Sequence, residues 1–164
     1  MPHARLIGAK RKDAKASAMT IRAGTTANAW GFVFLAWLVA LAASLGALFI
    51  GEIMGQTPCN LCWHQRAFMF PLAVILAVAS FRSDASVSWY GLPLAVVGAA
   101  IAAFHSLLYA GIIPAAIEPC GRDGPSCSSA DMTILGVLPL PYLSLAAFLS
   151  IALLLLLARR RRSA

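Results

Sequence analysis

The four cysteines of this 164-residue chain form two pairs whose spacing suits thiol–disulfide exchange. Cys59 and Cys62 are separated by two residues at the start of an apolar segment, and Cys120 and Cys127 lie in a loop before another. A Cys-x-x-Cys pair at a helix start favours a thiolate, and a pair on a loop is accessible to the thiol of a soluble partner. The two pairs together predict a redox relay.

The residues after the first pair extend this prediction. Pro58 favours the start of a helix. On that helix Cys59, Cys62 and Arg66 would lie along one stripe, because residues three and four apart are neighbours. The positive end of the helix and the guanidinium group would both favour a thiolate at Cys62.

The elements that must position these residues are membrane helices. Hydrophobic residues make up 60% of the chain and charged residues only 12%, which is unlike a soluble domain. Segments of about 20 apolar residues predict spanning helices. The predicted spans are Trp30 to Ile50, about His64 to Phe81, about Trp89 to Ile113, and about Val137 to Ala158. We therefore expect an all-α membrane protein, a four-helix bundle with both termini in the cytoplasm.

The distribution of basic residues predicts which side each loop occupies. Of the 13 Lys and Arg residues, 6 precede the first span, Arg82 follows the second and 4 follow the fourth, and 6 + 1 + 4 = 11. The positive-inside rule places these 11 in the cytoplasm and all four cysteines on the outer side, where disulfides persist. Lipid and topology explain the net charge of +7 without nucleic acid. Residues 1–22 and 159–164 are predicted basic cytoplasmic tails, the first disordered, flanking a membrane domain at 23–158.

Arg66 is a candidate functional residue because of its depth. An arginine near a bilayer is costly without an anionic or polar partner, so it marks a functional site by default. The alternative is that Arg66 snorkels to the interface. Its spacing from Cys62 favours function.

The cysteines also have structural alternatives. Four cysteines allow three pairings, and sequence alone does not choose among them. Two inert disulfides could staple short loops, or four thiolates could bind zinc. However, a Cys-x-x-Cys disulfide closes so short a loop that it stabilises little, which favours redox chemistry for that pair.

Longer motifs resemble the disulfide bond formation protein B (DsbB) family. The segment from Pro58 to Arg66, followed by Phe-Met-Phe-Pro-Leu at 68–72, resembles the family signature. Gly-Pro-Ser-Cys at 124–127, Ile-Leu-Gly at 134–136 and the segment from Pro139 to Leu145 resemble its second loop and fourth helix. The resemblance covers about Trp30 to Ala158. The six residues between Cys120 and Cys127 resemble the compact, Gram-positive-type members more than the enterobacterial form.

The resemblance implies a quinone-coupled thiol oxidase of the bacterial plasma membrane. Such an enzyme reoxidises a DsbA-like, thioredoxin-fold dithiol oxidase and passes two electrons to ubiquinone or menaquinone. By position, Cys120 would form the mixed disulfide with the partner, and Cys127 would exchange with Cys59. Cys62 would be the thiolate facing the quinone, and Arg66 would stabilise negative charge there.

His105, in the outer half of the third span, is a further candidate. A histidine in a membrane helix usually faces the bundle, and family members often carry one in this region that helps to hold the quinone ring. The alternative is a histidine that hydrogen-bonds across helices for packing alone.

Two other function classes remain open. A vitamin K epoxide reductase-like enzyme also combines a four-helix bundle with Cys-x-x-Cys and loop cysteines, but its active pair is expected on the last helix of the bundle. A non-enzymatic membrane scaffold with structural disulfides would show no quinone-dependent turnover.

Overall fold

The protein is described by a computed structural model that covers residues 29–114, 127, 133–134 and 138–163. Within this part of the chain, four helices are long and apolar enough to cross a membrane. They are α1 (Ala29–Ile53), α2 (Asn60–Phe81), α3 (Ser88–Tyr109) and α4 (Leu140–Ser163). The predicted all-α, four-helix membrane fold is confirmed. The predicted tail at residues 1–22 and most of the loop around Cys120 lie outside the described residues.

Several helix boundaries differ from the hydropathy estimate. Helix α2 begins at Asn60 rather than near His64, because Cys59 caps it and allows the helix to start among polar residues. Helix α3 ends at Tyr109, before Ile113. Helix α4 begins at Leu140, because the residues before it form a short antiparallel pair. That pair consists of β1 (Thr133–Ile134) and β2 (Leu138–Pro139).

The helices pack through a stripe of buried residues on α2. Six of the buried residues recur every three or four positions, the period of one helix face: Leu61, Gln65, Met69, Leu72, Leu76 and Ala79. Leu72 and Leu76 are fully buried and belong to the same core cluster as Phe148, Ile151 and Leu155 of α4.

Helices α3 and α4 approach each other closely at Gly98. A Cβ atom at Gly98 would overlap the ring of Phe148, which is fully buried. Small residues permit such approach where lipid removes the hydrophobic drive for helix association.

The bundle has two chemically different ends. At one end, Trp30 Nε1 donates a hydrogen bond to the Ser80 carbonyl at 2.8 Å, and the Arg159 guanidinium carbon lies 3.8 Å from the centroid of the Trp89 ring. Aromatic and basic side chains of this kind favour a membrane–water interface. Cys59, Cys62 and Cys127 all lie at the other end, near the start of α2 and the end of α3.

Candidate functional site

Cys59 is the N-cap of α2, and this position determines its contacts. Its backbone is extended, at φ −69° and ψ 171°, and its Sγ accepts a hydrogen bond from the Cys62 N–H at 3.3 Å. Its thiol donates to Cys62 Sγ across 3.0 Å. The hydrogen bond to Cys62, followed by burial, raises the pKa of the Cys59 thiol. In the reduced pair, the proton is therefore on Cys59, and the Cys62 sulfur accepts the hydrogen bond.

The two sulfurs belong to different surroundings. Cys59 is fully buried in a small cluster with Leu61, Leu108 and Cys127. Cys62 is only partly buried and lines a cavity between the helices. The Cys-x-x-Cys pair thus connects the environment of a loop cysteine with that of the cavity.

Cys127 is engaged in a disulfide, whereas Cys59 and Cys62 are free thiols. Cys127 is fully buried even though it belongs to the loop between α3 and α4. Its partner lies outside the described residues, as does Cys120. The pairing is therefore not between Cys127 and either cysteine of the Cys-x-x-Cys motif.

His105 connects α2, α3 and the loop. Its side chain is 1% exposed. Its Nε2 lies 3.1 Å from the Cys127 carbonyl oxygen and 3.8 Å from Cys59 Sγ, and its Nδ1 lies 3.0 Å from Gln65 Nε2. With the Gln65 amide donating to Nδ1, the ring proton is on Nε2 and points at the loop carbonyl. This orientation places a hydrogen-bond donor beside the Cys59 sulfur.

Arg66 lies one helical turn after Cys62 and reaches across to α1. Its Nη2 donates to the Ala47 carbonyl oxygen at 2.7 Å, and its guanidinium carbon lies 5.4 Å from the centroid of the Trp63 ring. The end of α1 is widened into a π-helical turn at Phe49–Ile53. A Cβ at Gly51 would come within 3.0 Å of Arg66 Nη2, so glycine leaves room for the guanidinium group.

The cavity has a volume of about 470 Å³, within the range of small-molecule sites. Cys62, Gln65, Arg66 and His105 supply polar groups to its wall. The remaining lining is largely apolar and comes mainly from α1, α2 and α4. It includes Val39, Ala42, Ala43, Gly46, Ala47, Ile50, Met69, Phe70, Leu140, Leu143, Ala147 and Phe148.

The structure therefore brings Cys59, Cys62, Arg66 and His105 to one end of the bundle, with Cys127 beside them. Gln65 is the residue that sequence reasoning missed. It lies three residues after Cys62 and is buried. The available signal was a polar amide within an apolar span, where an amide without a hydrogen-bond partner is costly. Four small residues of α1, Ala42, Ala43, Gly46 and Ala47, also line the cavity.

Comparison with known proteins gives consistent results. The family model described as "Disulfide bond formation protein DsbB" matches residues 28–158. A probable disulfide formation protein of Metapseudomonas resinovorans is 63% identical over 132 residues, which is 80% of this chain and 92% of that protein. Disulfide bond formation protein C of Bacillus subtilis is 39% identical over 132 residues, 80% of this chain and 95% of that protein. No solved structure matches the chain.

Proposed function

Since the chain belongs to the disulfide bond formation protein DsbB family, we propose that it is a membrane thiol:quinone oxidoreductase. Family membership and the four apolar helices make it a multi-pass membrane protein that forms disulfides. Its specific reaction would be the reoxidation of a DsbA-like dithiol oxidase, with ubiquinone or menaquinone as electron acceptor. The observation that carries this proposal is the division of the two sulfurs. Cys59 faces the loop cysteine, and Cys62 faces the cavity.

The thiol steps follow from this arrangement. A thiolate of the reduced partner attacks Cys120, and the mixed disulfide resolves to give oxidised partner and a reduced loop pair. The Cys127 thiolate then attacks Cys59 of a Cys59–Cys62 disulfide, and Cys62 leaves as a thiolate. Attack of Cys120 on Cys127 releases Cys59 and restores the loop disulfide. The outcome is the state in the structure, with Cys127 oxidised and Cys59 and Cys62 reduced.

His105 has a role in this exchange. Its Nε2–H lies 3.8 Å from Cys59 Sγ, so it can donate to the sulfur when Cys59 leaves as a thiolate. It also donates to the Cys127 carbonyl, which keeps the loop cysteine close to Cys59. Gln65 maintains the required tautomer from the other side of the ring.

The cavity fits a quinone head group. Its walls are largely apolar, which suits the ring, and Arg66 and Gln65 supply hydrogen-bond donors to the same cavity that Cys62 lines. A quinone bound there would supply the acceptor for the two electrons and two protons that are released when Cys59 and Cys62 form their disulfide. Arg66 would stabilise negative charge on Cys62 and on the ring oxygen, because a guanidinium group forms strong charge-assisted hydrogen bonds.

We place the cysteines on the outer side of the bacterial plasma membrane and both termini in the cytoplasm. The basic residues before α1, after α2 and at the end of α4 support this orientation. On that side, the loop cysteines would meet a periplasmic or extracellular thioredoxin-fold partner.

Reconstitution with a reduced DsbA-like protein and ubiquinone tests the function. Quinone absorbance should fall as partner thiols disappear, and Cys62→Ser should abolish the change. Val74→Ala, which alters an exposed position on the same helix, should retain normal turnover. A folded protein that oxidises no partner and reduces no quinone would instead be a membrane scaffold.

A trapping experiment tests the order of the cysteines. In Cys127→Ala, the Cys120 thiolate can attack the disulfide of the oxidised partner, and the Cys127 sulfur that would displace the partner from Cys120 is missing, so the Cys120 mixed disulfide should accumulate. Non-reducing gels with mass mapping identify the linkage. A crosslink consistently through Cys62 would contradict the proposed order.

A further inference from the structure

The reduced site contains three metal-ligand groups close together. Cys59 Sγ, Cys62 Sγ and a His105 ring nitrogen all lie within 4.8 Å of one another. Two thiolates and an imidazole form a typical donor set for zinc, and Cys-x-x-Cys at a helix start is a common zinc-binding spacing. Neither the family membership nor the proposed electron relay requires a metal at this position.

The distances are close to those of a coordinated ion. With Zn–S bonds of about 2.3 Å and Zn–N bonds of about 2.0–2.1 Å, tetrahedral geometry separates two sulfurs by about 3.8 Å and sulfur from nitrogen by about 3.5 Å. Cys59 Sγ and His105 Nε2 are 3.8 Å apart. The two sulfurs are 3.0 Å apart because a proton lies between them. A metal that replaces this proton would have to increase their separation by only about 0.8 Å, to the value expected for tetrahedral zinc.

The surroundings provide an outer partner and an open position. A histidine that binds metal through Nε2 must donate its Nδ1–H to another group. Gln65 contacts Nδ1 at 3.0 Å, and rotation of its amide by half a turn would present the acceptor oxygen. Cys62 and His105 both line the cavity, so a fourth ligand such as water can reach the ion from there.

We propose that the reduced Cys59–Cys62 pair and His105 form a zinc site that exists only in the dithiol state. Binding displaces the thiol protons and transfers His105 Nε2 from the Cys127 carbonyl to the metal. Oxidation of the pair to a disulfide removes both thiolate ligands and abolishes the site. Zinc binding follows from the geometry alone. Its consequence, inhibition of reoxidation by quinone, depends on the proposed function.

Cobalt is a suitable spectroscopic probe because thiolate and tetrahedral coordination give characteristic absorption. A Cys120→Ser/Cys127→Ser background leaves only Cys59 and Cys62 as thiols. In detergent, the reduced protein should bind one Co²⁺ with a tetrahedral, sulfur-containing spectrum, and Zn²⁺ should displace it. The same protein with a Cys59–Cys62 disulfide should bind none. Equal binding in both redox states would overturn the proposal.

The contribution of histidine has its own test. His105→Gln should weaken Co²⁺ binding at least about tenfold, the smallest effect that loss of even an outer partner of a metal ligand has. His105→Cys should restore tight binding with a more sulfur-rich spectrum. His64 is an exposed histidine on the same helix as Cys62, so His64→Ala should bind Co²⁺ normally. Unchanged affinity and spectrum in His105→Gln would show a simple two-thiol chelate and refute the site.

Turnover separates the two proposals. In the reconstituted wild type, Zn²⁺ added to the reduced enzyme should slow quinone reduction, and a chelator should restore it. Cobalt binding without any quinone reduction would refute the proposed function while keeping the metal site. Normal turnover at a Zn²⁺ concentration that saturates the site would refute inhibition of quinone reduction by the bound metal.

Discussion

Cys59 and Cys62 are only three residues apart, yet their sulfurs have different chemical surroundings. Cys59 is buried at the helix cap and donates to Cys62, whereas Cys62 borders the cavity. A helix start separates the two because the cap residue has extended backbone and the next turn has helical backbone. Burial and proton sharing thus suit Cys59 for exchange with another buried cysteine, and exposure suits Cys62 for reaction at the cavity.

Alkylation of the reduced pair should distinguish the two thiols. Because the pKa of Cys59 is raised above its ordinary value of 9.0, its thiol remains protonated as the pH rises past 9. We expect Cys62 to be alkylated first at pH 7–8, and Cys59 to react slowly until well above pH 9. Peptide mass mapping after timed labelling gives the two rates.

The same shift affects stability. A raised pKa stabilises the folded, reduced state fully below pH 9, and this contribution is lost as the pH rises from 9.0 toward the folded value.

Removal of the acceptor in Cys62→Ala should lower the pKa of Cys59 and speed its alkylation at pH 8. Equal rates in wild type and Cys62→Ala would contradict the role of the shared proton.

Arg66 should act at the cavity end of the relay only. Arg66→Lys retains a charge but loses the planar fork, and Arg66→Ala loses both. Loss of charge-assisted hydrogen bonds worth about 1.5–3 kcal/mol should reduce quinone turnover or affinity roughly 10- to 100-fold in Ala, with Lys intermediate. Exchange between the partner and Cys120 in a single turnover should be retained.

Steady-state quinone reduction and single-turnover thiol exchange measure these two effects separately. Ala67→Ser, at the adjacent exposed position, is a matched control. If folded Arg66→Ala reduced quinone at the normal rate and affinity, Arg66 would be an interfacial anchor that snorkels.

At the scale of elements, the ends of the helices determine the site. The π-helical turn of α1 lies beside the guanidinium group of Arg66, and π-helical turns of this kind often occur at functional sites. The cap of α2 positions both cysteines, and α3 contributes His105 close to its own end. Each element provides one part of the site near a terminus, where helical hydrogen bonding is incomplete and can be replaced by other contacts.

The contact between α3 and α4 gives a stability prediction. Gly98→Ala should destabilise the protein by about 1–3 kcal/mol, because the new methyl group would overlap the buried ring of Phe148. Gly31→Ala is the control, since a Cβ there meets nothing within 4 Å. Thermal unfolding in detergent compares the variants.

A second change tests whether overlap is the cause. Gly98→Ala combined with Phe148→Leu should recover part of the lost stability, because leucine occupies less of the space beside α3. Equal stability of Gly98→Ala and Gly31→Ala would show that Phe148 moves aside without cost.

At the scale of the whole molecule, the two ends of the bundle separate aromatic and basic contacts from thiol chemistry. Arg159 lies over Trp89 at one end, and His105 meets Cys127 at the other. The contacts at each end therefore join residues that the topology prediction assigns to the same side of the membrane.

Impermeant thiol labelling of single-cysteine variants in intact cells tests this orientation. We expect Cys120 to be labelled from outside, and a cysteine introduced at Ser163 to be labelled only after the membrane is broken. Labelling of Cys120 only in broken cells would reverse the predicted topology. Because Cys59 is fully buried, it is not a suitable reporter.

Sequence alone was sufficient for the features that depend on local composition. Four apolar segments predicted four helices, because a bilayer requires about 20 apolar residues per span. The Cys-x-x-Cys spacing and the motif from Pro58 to Arg66 predicted redox chemistry and the family. The assigned roles of Cys59, Cys62, Cys120, Cys127, Arg66 and His105 remain predictions.

Only the tertiary structure decided which groups meet. Gln65 contacts His105 across 40 residues, and His105 contacts the Cys127 carbonyl across 22. Such contacts depend on the rotation and packing of helices against one another, which a local pattern does not specify. The cavity exists for the same reason, because small residues on α1 can either admit a neighbouring helix or leave space, and the packing of the other helices determines which occurs.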